Sequence, residues 1–386
     1  MKTYGTVVTG IKYMATVLGL TRKKAFVGKL TNRDFYTPGD EDPKSTKSIK
    51  NKGQKFTITS LHSNGWSSYT GSNLSFTDVK EVVSTLTIGT YKALQDKIAS
   101  LAVFTSAVSD PKSSIMTSAG GKLIAILDKA MLAMYADAGA GNWVGTSFTT
   151  GTCTVDVTTG VVTHSATGFL AAMVGKPFKA VGHSKWYRVK TFIDTSHLII
   201  ENDEDDQDSS YDGGAIAGGT AFEIQAAAVL AVTKTNIAAT LSLAASLFDE
   251  AHGDHDELTV PEEGRFVILP ACAKNALRQA AEFNKDLDIS FNDTIVKGKV
   301  GSAYGLEVYI APTAWFQGNN TSGIYAITGH KDWLTAGYGF IEPINVIPSA
   351  ENQTNFGDMI KGLFGYGFKV ADDRRMNGGV IFATFN

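Results

Sequence analysis

Two stretches of this chain carry side chains dense enough for metal or acid–base chemistry. His252-Gly-Asp-His255-Asp256-Glu257 puts two imidazoles and three carboxylates within six residues, a donor set able to ligate a divalent ion. The two histidines lack the helical i, i+4 spacing that aims both rings at one ion, so an exposed polar loop is the simpler reading. His252, His255 and Asp256 therefore stand only as weak metal candidates. Asn202 to Asp212 carries acids at 203, 204, 205, 206, 208 and 212 and resembles a calcium loop in composition. Counted from Asp203, the sixth position is Asp208 and the twelfth Gly214, where such a loop needs glycine and glutamate. A solvated acidic turn accounts for it better.

Other chemistry is missing from the motif inventory. The chain has no G-x-S-x-G, no phosphate loop, no G-x-G-x-x-G after a strand and no H-E-x-x-H. Gly337-Tyr-Gly339 and Gly365-Tyr-Gly367 read as bulges or strand bends rather than phosphate cradles. Cys153 and Cys272 lie far apart without CxxC neighbours, which suggests neither a disulfide framework nor zinc and fits a reducing compartment. The five tryptophans form no stacking series for single-stranded nucleic acid. The expectation is a protein without catalytic residues or cofactor, and not an enzyme.

Composition narrows the class. A chain of 386 residues is long enough for two or three domains, and 43% apolar content can offset the chain entropy of folding them. Charged residues make up only 19%, and with 39 glycines this points to surface buried against other chains or to many tight turns. A net charge of −3 without a basic stripe argues against a dedicated nucleic-acid binder. No run approaches about 18 apolar residues, so no membrane span is expected.

The elements that would carry these residues follow from spacing. Residues 53–90 read as a long hairpin. Phe56, Ile58 and Leu61 lie on one strand and Val79, Val82, Val83, Leu86 and Ile88 on the return, with Asn64-Gly65 and Thr70 to Asn73 as turn residues. Such a ribbon has no core of its own and should lie on something else, a neighbouring subunit being the natural seat. From Lys112 to Ala138, apolar residues recur every three or four, which predicts a helix with a kink or break at Gly120-Gly121. Residues 141–225 turn to Thr, Val, Gly and Ser with closely spaced strand signals, an all-β stretch. Ala226 to Glu250 reads as helix, and Phe356 to Phe385 as a closing hairpin.

Residues 259–270, Thr-Val-Pro-Glu-Glu-Gly-Arg-Phe-Val-Ile-Leu-Pro, form a turn and a four-residue apolar strand, with an amphipathic helix predicted over Ala271–Phe283. The glycine-punctuated strand Gly301–Ile310 and then Ala326-Ile-Thr-Gly-His-Lys-Asp332 follow. In that order, together with the closing Gly362–Val370, the segments resemble those of the major capsid proteins of tailed bacteriophages, the Hong Kong 97-type shell fold. The resemblance implies an α+β fold with an N-terminal arm (1–52), an E-loop hairpin (53–90) and a peripheral domain with spine helix (91–140). It further implies an axial domain (226–345) and C-terminal peripheral strands (346–386), with 141–225 as an added all-β insertion domain.

What the resemblance implies for function is a shell subunit. It would self-assemble as hexamers and pentamers into an icosahedral or prolate head around double-stranded DNA, without sequence-specific binding and without a membrane. Partners would be copies of itself, a portal, and scaffolding or decoration proteins. The location would be the virion, with assembly in the host cytoplasm. Glu262, Glu263 and Arg265 become candidates for capsomer contacts or for locking a turn. The alternatives are an encapsulin-like compartment shell and a carbohydrate-binding β-domain surface protein.

Overall fold

A computed structural model of the chain describes residues 24–32, 52–62, 80–99, 111–183, 185–203, 211–214, 216–249, 260–280, 299–347 and 357–386. Its residues fall into two compact units. One comprises residues 1–60, 83–131 and 334–371; the other 61–82, 132–333 and 372–386.

The first unit is built on a three-stranded antiparallel sheet in the order Leu334–Ile347, Gly357–Val370, Thr90–Ala99. Strands Lys55–His62 and Lys80–Thr87 pair as a separate two-stranded ribbon. Its turn residues, Asn64-Gly65 and Thr70 to Asn73, lie outside the described residues. At its base Phe56, Ile58, Leu86 and Ile88 are fully buried with Ala371, Tyr91 and Ile341 around them, so this part of the ribbon is seated on its own unit.

Glycine makes that seat. Gly337 pairs with Gly367 and Gly339 with Gly365 across Tyr338–Tyr366, so the two Gly-Tyr-Gly runs face each other in register. A Cβ at Gly367 would collide with the Thr87 carbonyl, and one at Gly337 would lie 3.0 Å from both Leu86 and Ile88. The register shifts of this ladder come after Phe340, beyond the glycines. The runs are therefore not bulges; they clear a patch on which the ribbon backbone can rest.

The long helix runs Pro111–Leu132 and tightens into a 3₁₀ turn over Ala133–Asp137. The helix is not broken at Gly120-Gly121. Gly120 lies on the buried stripe with Met116, Leu123, Leu127 and Met131, at the i, i+4, i+7 spacing of one helix face.

The second unit holds two sheets. The first, eight-stranded, runs Leu230–Val232, Gly378–Phe385, Gly323–His330, Arg265–Pro270, Leu306–Ala311, Lys299–Ala303, with Trp143–Val144 beside Gly378–Phe385 and Gly318–Asn319 beside Gly323–His330. Every residue of Arg265–Pro270 and Gly378–Phe385 is buried, which is why both read as continuous apolar runs without alternation. The second sheet is seven-stranded, in the order Thr146–Phe148, Ile216–Ala228, Thr152–Val155, Val161–His164, His197–Asn202, Tyr187–Asp194, Pro177–Ala180. Pro177–Ala180 pairs back onto Ile216–Ala228 and closes six of these strands into a barrel. Phe169, Phe178, Leu198, Phe222 and Ile224 fill its core.

The barrel leaves and returns along one edge. Trp143–Val144 pairs in parallel with Val380 and Ile381, and Leu230–Val232 pairs in parallel with Ala383 to Phe385. The opposite edge of Gly378–Phe385 is taken by Gly323–His330. The two short strands therefore form one interrupted edge strand, with the barrel as the excursion between them.

Three sequence expectations are corrected here. Residues 226–228 and 230–232 are strand, and the helix begins only at Ile237 and ends at Ser246, burying Ile237, Leu241, Ala244 and Ala245. The helix after Pro270 spans Ala273–Gln279, shorter than expected. Gly357–Val370 and Gly378–Phe385 are not a hairpin, because the 3₁₀ turn Asp372–Asn377 sends them to different sheets.

Placing a methyl group at position 367 tests the glycine seat. Gly367→Ala should cost about 2–3 kcal/mol in urea unfolding of the subunit, the range for overpacking. Gly89→Ala, where a Cβ meets nothing within 4 Å, should stay within about 0.5 kcal/mol. Equal effects at the two positions would refute the seat.

Candidate functional site

The turn ahead of strand Arg265–Pro270 is held from two sides. Gly264, at φ 98°, makes a backbone reversal that side chains rarely adopt and turns Arg265 inward. The Arg265 side chain is only 3% exposed. Its Nε donates to the Pro261 carbonyl at 3.1 Å, Nη1 to Asp249 Oδ1 at 2.7 Å, and Nη2 to the carbonyls of Phe248, at 3.4 Å, and Val260. From the neighbouring strand, His330 Nε2 donates to the Glu263 carbonyl at 2.8 Å while its Nδ1 accepts from the Asp332 amide at 3.2 Å. One guanidinium thus donates to three carbonyls around the turn, of which that of Phe248 also accepts the Val260 amide at 3.2 Å. Glu262 and Glu263 are exposed beside it. The residues of 259–270 therefore divide: Arg265 works inside the fold, and the two glutamates face outward.

Where the barrel meets the eight-stranded sheet, a cavity of about 390 Å³ is lined by charged and aromatic side chains. Asp203, at the end of a barrel strand, accepts from Arg188 Nε at 2.7 Å, from Arg375 Nη2 at 3.1 Å and from the Ala140 amide at 2.7 Å. Arg188 also donates to the carbonyls of Gly175 and Ala138, each at 3.1 Å. Arg375 comes from the 3₁₀ turn before the C-terminal strand, so a single carboxylate ties barrel, strand lead-in and C-terminal turn together. Its partners are almost wholly desolvated, the regime in which charge-assisted bonds are strong and loss of one member is costly.

Lys176 lies in the same cavity inside an aromatic box. Its Nζ stands 3.8 Å from the ring centre of Phe382, 4.4 Å from Tyr325 and 5.0 Å from Trp143, and donates to the Tyr325 hydroxyl at 3.2 Å. Tyr325 stacks between Tyr135 and Phe382, with ring centres 4.3 and 4.5 Å away. Burial, with the nearby Arg188 charge adding to it, pushes the Lys176 amine down from 10.5 to about 7. Burial pushes the Tyr325 hydroxyl up to about 12.

Sequence reasoning did not find this joint. Asp203 was hidden at the head of an acidic run that reads as a solvated turn, and nothing near Lys176, Arg188 or Arg375 in the sequence marks them as partners. Residues 204–210 of that run lie outside the described residues, as do His252, His255 and Asp256. Among the described residues no group of three or more His, Cys, Asp or Glu could hold a metal ion. No helix there is long and apolar enough to cross a membrane.

No family model matches the chain, and no curated protein matches it. Solved structures do. A chain from the capsid of Ralstonia phage GP4 is 12% identical over 94% of this chain and 92% of its own length, with a TM-score of 0.53. A Mycobacterium phage Che8 chain is 15% identical over 93% and 91%, with a TM-score of 0.47. A chain from the capsid of cyanophage P-SCSP1u is 14% identical over 88% and 86%, also at 0.47. At such identities it is the fold that is shared. The GP4 likeness runs almost end to end in both chains: this is an α+β, strand-rich chain with the fold of a phage capsid subunit.

The two locks make separate predictions. Arg265→Met removes the guanidinium donors from the Pro261 and Val260 carbonyls, while the Phe248 carbonyl keeps the Val260 amide, and should cost about 2–4 kcal/mol in urea unfolding; the exposed Asp249 keeps the figure below that of a fully buried pair. A cost under about 1 kcal/mol would mean water replaces the guanidinium. For Lys176, the unfolded chain holds a proton between about pH 7 and 10.5 that the folded chain has released, so this residue's contribution to stability rises with pH across that window. Relative to the native chain, Lys176→Met should therefore be most favourable below pH 7, with the margin closing by pH 10 in unfolding at pH 6, 8 and 10. A margin independent of pH would refute the assignment.

Proposed function

We propose that this chain is the major shell subunit of a tailed-phage head, self-assembling as hexamers and pentamers into an icosahedral or prolate shell around double-stranded DNA. The observation that carries the reading is the fold likeness to the Ralstonia phage GP4 capsid chain across nearly the full length of both. The proposal includes the Hong Kong 97-type division of the chain. Residues 1–52 are then the arm, 53–90 the E-loop, 91–140 the peripheral domain with its spine helix, and 226–345 the axial domain. The paired ribbon strands and the unbroken helix Pro111–Leu132 support the E-loop and spine assignments. Within this proposal strand Leu334–Ile347, paired with Gly357–Val370, goes with the peripheral strands rather than the end of the 226–345 axial domain, and of the peripheral strands expected in 346–386, Gly378–Phe385, paired with Gly323–His330, goes with the axial sheet. The two short strands that leave and rejoin one edge of Gly378–Phe385 support an inserted all-β domain at about 141–225, its last strand running on to Ala228.

In this reading Glu262 and Glu263 are carboxylates offered to a neighbouring subunit and Arg265 is the residue that holds their turn in place. Portal, scaffolding or decoration proteins are the further partners, the virion is the location, and assembly takes place in the host cytoplasm. DNA is enclosed without being read, which suits a chain of net charge −3. Covering area rather than enclosing a pocket is the physical task, and it is met by heterologous contacts that close into rings.

The test is assembly itself. Purified full-length chain, sedimented and viewed by negative-stain microscopy, should give closed shells or six-membered rings. A chain that stays monomeric up to high concentration, with and without co-expressed phage head proteins, would overturn the reading.

A further inference from the structure

Asp128 is an acid where the helix pattern calls for an apolar residue. It stands on Pro111–Leu132 beside the buried Leu127 and is itself only 1% exposed. Its Oδ1 accepts the Val27 amide at 3.1 Å, and the Phe26 amide bonds to the same carboxyl. Those two residues belong to the segment 24–32, in which Ala25, Phe26, Val27 and Leu30 are buried and Val27–Leu30 forms one helical turn. At the far end of the segment the Asn32 amide donates to the Leu334 carbonyl at 2.8 Å, and the Ala336 amide donates to the Asn32 carbonyl at 3.0 Å. Asp128 is thus a side chain by which the long helix holds this segment through hydrogen bonds.

The surroundings decide its charge. Burial pushes the carboxyl up from 3.8 to about 7, against the pull of the Val27 and Phe26 amides and of the Lys29 ammonium. Lys29 is the charged group acting on it from the segment, Lys129 beside it on the helix is exposed, and residues 334–337, which hold Asn32, carry no titratable side chain. Burial favours the neutral acid and outweighs the two amides and the ammonium, which favour the anion.

We propose that Asp128 is a pH-sensitive latch, its protonated carboxyl holding residues 24–32 against the long helix and its ionisation loosening them. When the segment lifts, the carboxyl reaches water and returns toward its ordinary value. Between the two values the open form binds fewer protons than the closed form, so rising pH favours opening, by up to tenfold per pH unit and levelling off above about pH 7. The device stands on the geometry of the first unit alone and does not depend on the shell reading.

Amide hydrogen exchange of the full-length chain between pH 5.5 and 8.5, corrected for intrinsic exchange, reads it directly. Protection of peptides covering 24–32 should fall by roughly 15-fold between pH 5.5 and 7, by about a further twofold up to pH 8.5, and then flatten. Peptides of the barrel, 146–228, report global folding. Asp128→Asn keeps an acceptor without a charge and should hold 24–32 protected across the whole range. Lys29→Met removes the favourable charge and should move the transition to higher pH. A native profile flat with pH would overturn the latch. So would an Asp128→Asn profile that tracks the native one, or loss of protection in that variant at every pH while the barrel stays protected.

Discussion

The second unit hangs on one strand. Gly378–Phe385 is buried along its whole length and is paired on both edges. One edge takes Gly323–His330; the other takes Trp143–Val144 and Leu230–Val232 end to end. The last described element of the chain thus closes contacts with segments more than 150 residues earlier, in the kind of non-local pairing that is costly to form and stabilising once made. The barrel exists as an excursion because both of its ends are pinned to this strand. Asn142 reinforces the pin, its side-chain amide donating to the Met376 carbonyl at 2.6 Å while its own carbonyl accepts from Val380.

Charge is used sparingly, and where it is buried it does one of two things. At Arg265 and at Asp203 each ion is surrounded by several partners, so the desolvation cost is offset and the group fixes geometry: a turn in one case, a three-way joint in the other. Lys176 and Asp128 are different. Each has partial compensation only, aromatic faces and a hydroxyl for the lysine, two amides and the charge of Lys29 for the aspartate. Burial then shifts their titration toward neutrality, so fully partnered charges hold while partly partnered ones respond to pH.

Glycine supplies the other constraint. The facing Gly-Tyr-Gly runs let a ribbon backbone lie directly on a sheet, which side chains would have prevented. Extended elements can pack this closely only where the backbone carries no side chain at the contact. A low share of charged residues and many glycines are compositional traces of that architecture.

Local pattern was enough for the elements whose signal is local. The helix at 111–132, the two ribbon strands, the run Phe266–Leu269 and the dense strand signals between 152 and 202 are all visible as periodicity or as apolar runs between glycines and prolines. What periodicity could not decide was pairing. Val380–Phe385 has the same spacing from Gly357–Val370 that a hairpin would have, yet the strands join different sheets, because only long-range burial of both faces distinguishes a central strand from a hairpin arm. The joint failed for the same reason. Asp203, Arg188, Arg375 and Lys176 are scattered over 200 residues, and an acid in a polar run looks solvated until the tertiary structure removes the water around it. Sequence by itself determined most of the segments that are strands or helices, with 226–232 misread as helix, and that the chain carries no recognisable catalytic motif. Tertiary structure decided which strands meet and which charges are buried, since those depend on desolvation by residues distant in the chain.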